Sequence, residues 1–143
     1  MAHSYTSEYP SSVSFDPAYK KFFEDFYKVS DTPDIHEQYV ENFTKDATLV
    51  MAQTKVQGTE GILALRKGLW DRVSVRHHRP YKIFPFGPDS DEVMLHGNVD
   101  FELKDGSTQT KDWSAHAHLV KVDGVVKMKF YQVYMDTAPP PAK

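Results

Sequence analysis

Two runs of strictly alternating residues constrain the fold of this chain more than any other feature. In the first, Glu92, Met94, His96, Asn98, Asp100 and Glu102 alternate with Val93, Leu95, Gly97, Val99, Phe101 and Leu103. In the second, from Trp113 to Val122, Ser114, His116 and His118 alternate with Trp113, Ala115, Ala117 and Leu119. Successive side chains of a strand point to opposite faces, so each run is a strand with one apolar and one polar face. A plain surface strand fills its polar face with Lys, Glu and Thr. These strands use His and Asn, which both donate and accept hydrogen bonds. Such a face either lines a polar cavity or forms an unusual outer surface. The apolar face is correspondingly either the core beneath helices or an interface on the outside of the sheet.

The remaining elements follow from local signals. Asp16-Pro17 pairs an N-cap with proline at the first helical position, and Tyr19, Phe22, Phe23, Phe26 and Tyr27 recur at helical spacing behind it. Thr32-Pro33 repeats the start signal for a short second helix marked by Ile35, Tyr39, Val40 and Phe43. A strand is expected over residues 47–52. A third helix opens at Gly58-Thr59, with Ile62, Leu65, Leu69 and Val73 on one stripe. Strands follow over about 74–84, 91–104, 110–122 and 125–135, and the last three are joined by the hairpin signals Asp105-Gly106 and Asp123-Gly124. Helices followed by an antiparallel meander make an α+β chain. Long, few strands must curl, and helices across the concave side close a cone around a pocket. The boundaries expected are a flexible N-terminal segment, residues 1–14, a single domain, 15–136, and a Pro-rich tail, 137–143.

Composition removes several function classes. The chain has 143 residues, 40% of them hydrophobic, which is enough for one domain with a core. A net charge of −3 gives no drive toward nucleic acid or an anionic membrane. There is no cysteine, so disulfides, zinc thiolates and thiol nucleophiles are excluded. No apolar stretch is long enough to span a bilayer. Residues 1–14 are polar with no apolar signal core, so the expected compartment is the cytoplasm. No His-x-x-x-His stands on a helix, and His116-x-His118 is a common strand pattern, so no metal is expected. No glycine-rich phosphate loop or nucleophile elbow is present, so no cofactor is expected either.

Three stretches carry a family resemblance: Phe43-Thr44-Lys45-Asp46-Ala47-Thr48, Gly58-Thr59-Glu60-Gly61-Ile62, and Asp123-Gly124 followed by Tyr131-Gln132-Val133-Tyr134-Met135-Asp136. In order and spacing they resemble the NTF2-like superfamily, especially its SnoaL-like and scytalone-dehydratase-like branches. The resemblance implies an NTF2-like cone, with N-terminal helices packed on a strongly curved, mostly antiparallel sheet. It says little about reaction, because the superfamily includes isomerases, dehydratases, cyclases, hydrolases and noncatalytic binding or dimerisation domains.

Residue by residue, the resemblance places His78, ahead of Asp91-Glu92-Val93, at the pocket His of scytalone dehydratases. Ser114-Ala115-His116-Ala117-His118 is similar to their Ser-Ala-Asn-Leu-His run, with His116 in the Asn place. His118 lies near the acidic donor of ketosteroid isomerases, and Tyr27 is the match to a first-helix Tyr. Met51 stands where the isomerases carry a base and the dehydratases a second Tyr. Lys28 stands at the dehydratase Asp, so neither mechanism transfers intact. The candidate catalytic residues are therefore His78, Tyr27 and His116, with His96, Asn98, Ser114 and His118 binding substrate. On pattern alone, Arg76-His77-His78-Arg79 also reads as a solvated basic patch, and Tyr27 as core.

The function implied is a small-molecule pocket protein: a cofactor-free dehydratase, isomerase or cyclase acting on a small ketone or polyketide-like compound by His-mediated acid–base chemistry. The alternative is a noncatalytic ligand-binding or dimerisation module. A homodimer through the outer sheet face is expected. Hydrophobic patterning puts the apolar odd-numbered face under the helices, whereas the family comparison puts it outside.

Overall fold

The computed structural model describes residues 4–137. Helix α1 spans Pro17–Ser30, and its first turn is capped by Asp16, whose carboxylate accepts the Ala18 N–H at 2.9 Å. The aromatic stripe works as its spacing predicts: Phe22, Phe23, Phe26 and Tyr27 are all buried. Each buried aromatic or large aliphatic side chain contributes about 1.5–3 kcal/mol, so this face alone fixes how α1 lies on the sheet. Helix α2 is shorter than its pattern suggests, His36–Val40, and Phe43 instead begins strand β1, Phe43–Met51. Strand β2, Thr54–Gln57, carries no strand signal in the sequence. It forms because a tight turn at Ala52 (φ 53°) folds the chain back on β1. Helix α3, Gly58–Leu69, follows directly.

The remaining strands are β3 (Val73–Pro85), β4 (Glu92–Leu103), β5 (Thr108–Val122) and β6 (Val125–Tyr134). The sheet order is β2-β1-β6-β5-β4-β3. β1 pairs with β6 in parallel and the other pairs are antiparallel. The β5–β6 hairpin turns through Asp123 and Gly124, both at positive φ (51° and 80°), the backbone that an Asp-Gly pair adopts readily. The result is the expected α+β cone, with helices on a curved, mostly antiparallel sheet.

The odd-numbered face of β4 and β5 lies inside. Val93, Leu95, Val99, Ala115, Ala117 and Leu119 are at most 2% exposed, and the Trp113 ring sits 5.4 Å from that of Tyr27 on α1. Hydrophobic patterning thus decided the sidedness, and the family-based parity does not hold.

A bulge in β3 sets the site. Arg79 pairs with Asn98 and Lys82 with His96, so β3 holds one residue more than β4 in this interval. The extra residue lies at Pro80-Tyr81, where proline has no N–H to offer a ladder. Parity inverts across it: His78 faces inward before the bulge and Ile83 after it. Gly97 lies against the bulge, where a Cβ would strike the Arg79 carbonyl. Residues 4–14 run along this edge: the Glu8 N–H donates to the Tyr81 carbonyl at 2.8 Å, and the Ile83 N–H donates to the Glu8 carbonyl at 3.1 Å. Of the expected tail, only Thr137 falls within the described residues.

Candidate active site

His78 and Tyr27 meet at one cavity. It measures about 40 Å³ and is walled by Phe26, Tyr27, His78, Phe101, Trp113 and Tyr131. The rim is formed by Met51, Leu69 and Met135, all half-buried. The Tyr27 ring centroid lies 5.2 Å from the His78 imidazole, and the Trp113 ring lies 5.8 Å from the same imidazole at an interplanar angle of 72°.

Asp31 orients His78. Its carboxylate accepts the His78 Nδ1–H at 2.5 Å, the His78 backbone N–H at 2.7 Å and the Tyr5 hydroxyl at 2.8 Å. Its side chain is 3% exposed. A carboxylate on Nδ1 fixes the tautomer that carries its lone pair on Nε2, the arrangement a general base needs. Asp31 stands at the C-cap of α1, four residues after Tyr27, so one helix face supplies both groups.

Tyr27 is fully buried and its hydroxyl lies 2.8 Å from that of Tyr131 on β6. Burial raises both phenols well above the ordinary tyrosine value. They stay protonated, and one proton of the pair joins the two oxygens while the other is left to donate. The pair is therefore a hydrogen-bond donor and not a base. Tyr39 is likewise pushed up to about 12, mainly by burial.

Two guanidiniums reach the cavity and differ in how they are used. Arg66 is 1% exposed, and its donors are committed: to the Ser30 carbonyl at 2.7 Å, Thr32 at 2.6 Å, Val29 at 3.3 Å and His36 Nδ1 at 3.2 Å. It caps the C-terminal end of α1, beside Asp31. Arg76 donates from Nη2 to the Leu69 carbonyl and lies against the Trp70 and Phe101 rings, at 5.3 and 5.0 Å.

The other candidates lie elsewhere. His116, His118, His96, Asn98 and Ser114 alternate with the buried residues of β4 and β5, so they stand on the outer face of the sheet, away from the helices. His116 Nε2 meets Glu92 at 2.6 Å, His118 meets Asp91 at 3.3 Å, and Asn98 donates to the Tyr81 hydroxyl at 3.1 Å. The expectation that His116 shares a cavity with His78 and Tyr27 is thus corrected. Ala115 and Ala117 need the inward direction for packing, and the period of two leaves His116 none.

Sequence reasoning missed Asp31 and Tyr131, and it gave Trp113 and Arg76 no part in the pocket. The signal for Asp31 was its spacing of one helical turn from Tyr27. For Tyr131 it was the alternation of the second half of β6, where Tyr131 and Val133 are buried and Gln132 between them is not.

No family model matches the sequence, and no curated protein matches it. Solved structures do match. A candidate scytalone dehydratase from Novosphingobium aromaticivorans is 17% identical, with 84% of this chain and 83% of that one covered at a TM-score of 0.74. A hexachlorocyclohexane dehydrochlorinase is 19% identical, covering 87% of each chain at 0.70. Nuclear transport factor 2 from Cryptosporidium parvum is 16% identical, with 87% and 99% covered at 0.69. Enzymes and a transport factor stand side by side in this set, so what it establishes is architecture. The chain has the NTF2-like fold.

Proposed function

We propose that the protein is a cytoplasmic, cofactor-free acid–base enzyme of the lyase or isomerase type, acting on a small ketone or polyketide-like compound. The observation that carries this reading is the Asp31–His78 pair facing a buried tyrosine pair across one cavity. His78 Nε2 removes a proton from the carbon beside a carbonyl, and the tyrosine pair donates a hydrogen bond to the enolate oxygen that forms. In a dehydration, the imidazolium then returns that proton to the departing β-hydroxyl, which leaves as water. In an isomerisation, it returns the proton to another carbon. The candidate scytalone dehydratase and the dehydrochlorinase among the structural matches lend support to elimination chemistry.

At about 40 Å³ the cavity has room for about three waters, so a substrate must part the rim. Met51 and Met135 suit that task, being unbranched and adaptable. Among the described residues, no helix is long and apolar enough to cross a membrane.

A second reading, a noncatalytic binding or dimerisation module, is favoured by the small cavity and by the outer sheet face. There Phe84 and Met94 are 50% and 40% exposed, with Phe86 of the adjoining loop 86% exposed, a surface suited to pairing as a homodimer.

The test is a turnover screen over small ketones and phenolic polyketides, with His78→Ala as the control. The variant is expected to lower kcat by at least about tenfold on any substrate found. Equal activity in the variant would overturn the assignment of His78.

A further inference from the structure

Three buried side-chain donors lack a partner among the described residues: Trp70 Nε1, Arg76 Nε and Trp113 Nε1. Arg76 and Trp113 line the cavity that holds His78. A buried donor without an acceptor costs about 1–3 kcal/mol, so two on residues that line one cavity call for an explanation.

The sheet register places the two residues on either side of His78 along the strand direction. Arg76 pairs with Phe101 and His78 with Val99, while Gly97, two residues further along β4, pairs with Trp113. Local charge has the same sense. Arg66 and Arg76 both reach the cavity, and Asp31 is already engaged by His78 and by Tyr5. Arg66 spends its donors on the Ser30 and Thr32 carbonyls and on His36, whereas Arg76 keeps Nε. Burial lowers Arg76 only to about 10, so it is cationic at neutral pH.

We propose that the ligand of this cavity is a planar carboxylic acid, its carboxylate held by Arg76 and a second acceptor oxygen held by Trp113 Nε1. The proposal rests on reading the cavity as a ligand site and adds the substrate's charge. A guanidinium recognises a carboxylate with charge-assisted hydrogen bonds, about twice as strong as neutral ones. The ring-lined walls, Phe26, Phe101 and Trp113, favour a flat molecule. On a keto acid, holding the carboxylate and a second oxygen in this way presents the carbon beside the ketone to His78.

The test is binding of benzoate and of its neutral isostere benzamide to the full chain, by calorimetry and by tryptophan fluorescence. Benzoate is expected to bind at least tenfold more tightly than benzamide. In Arg76→Met that ratio is expected to fall to near one, while Trp113→Phe, which removes the indole N–H together with part of the ring, weakens benzoate severalfold. Equal binding of the two probes to the native protein would overturn the proposal, as would an acid preference that survives in Arg76→Met or no benzoate binding at millimolar concentration. The acid-to-amide ratio of the native protein decides the matter even if Arg76→Met fails to fold. The two readings fail separately. Acid preference without proton-transfer activity upholds this inference and removes the catalytic one, whereas turnover of neutral ketones without acid preference overturns this inference alone.

Discussion

Asp31 lies one helical turn beyond Tyr27, so a single face of α1 delivers both the carboxylate that grips His78 and the phenol that faces its ring. The geometry of the pair is locked at both ends. Asp31 accepts two hydrogen bonds from His78, and Tyr27 is joined to Tyr131 on β6. Substituting Asp31→Asn keeps the shape and removes the charge that holds the Nδ1–H tautomer. Activity is expected to fall by at least about tenfold with little change in KM, and ¹⁵N NMR of His78 is expected to show a shifted tautomer balance. An unchanged rate and spectrum would show that the carboxylate is only structural.

Tyr5 reaches Asp31 from the N-terminal segment at 2.8 Å. Tyr5→Phe deletes one hydrogen bond to a nearly buried carboxylate and is expected to cost about 1 kcal/mol of stability, read from the urea midpoint. Removing residues 1–8 also strips the Glu8 bonds from the edge of β3 and is expected to cost more than the point change.

The β3 bulge makes a sharper prediction. Gly97→Ala sets a methyl against the Arg79 carbonyl and is expected to destabilise by about 1–3 kcal/mol, because backbone must move. Gly68→Ala, in α3 with nothing within 4 Å of the new methyl, is expected to be neutral or to stabilise by up to about 1 kcal/mol. Similar melting temperatures for the two variants would contradict the role given to the bulge.

Much of this architecture was legible in advance, and the reasons are local. Alternation in β4 and β5 and the aromatic stripe of α1 depend on burial, which the sequence records directly. Strand β2 escaped because Thr54-Lys55-Val56-Gln57 has little apolar content and takes its conformation from β1. Of the candidate residues, His78 and Tyr27 do line one cavity, whereas His116 was expected there and stands on the other face. Which face a polar strand turns inward depends on what its neighbours bury, and Ala115 and Ala117 carried that information less visibly than the histidines did. Asp31 drew no notice in the sequence, because its partner, His78, is 47 positions away.

The buried phenols predict how stability depends on pH. Tyr39 is raised to about 12 when folded, against about 10 when exposed, and Tyr27 and Tyr131 are raised as well. Above about pH 10 the unfolded chain releases protons that the folded chain retains, so stability falls as pH rises through that window. Arg76, lowered to about 10, opposes this in part. Melting temperature is expected to drop steeply between about pH 10 and 12, and less steeply in Tyr39→Phe. A flat profile would mean that these hydroxyls are not buried in solution.

The central claim is that His78, held by Asp31, takes a proton from carbon. Its most direct measurement needs no knowledge of the natural substrate: α-hydrogen exchange of small ketones and keto acids in D₂O, followed by NMR. The native protein is expected to accelerate exchange of at least one such probe above the buffer rate, with His78→Ala at least about tenfold slower. Exchange at the buffer rate across the panel, or equal exchange by His78→Ala, would contradict it.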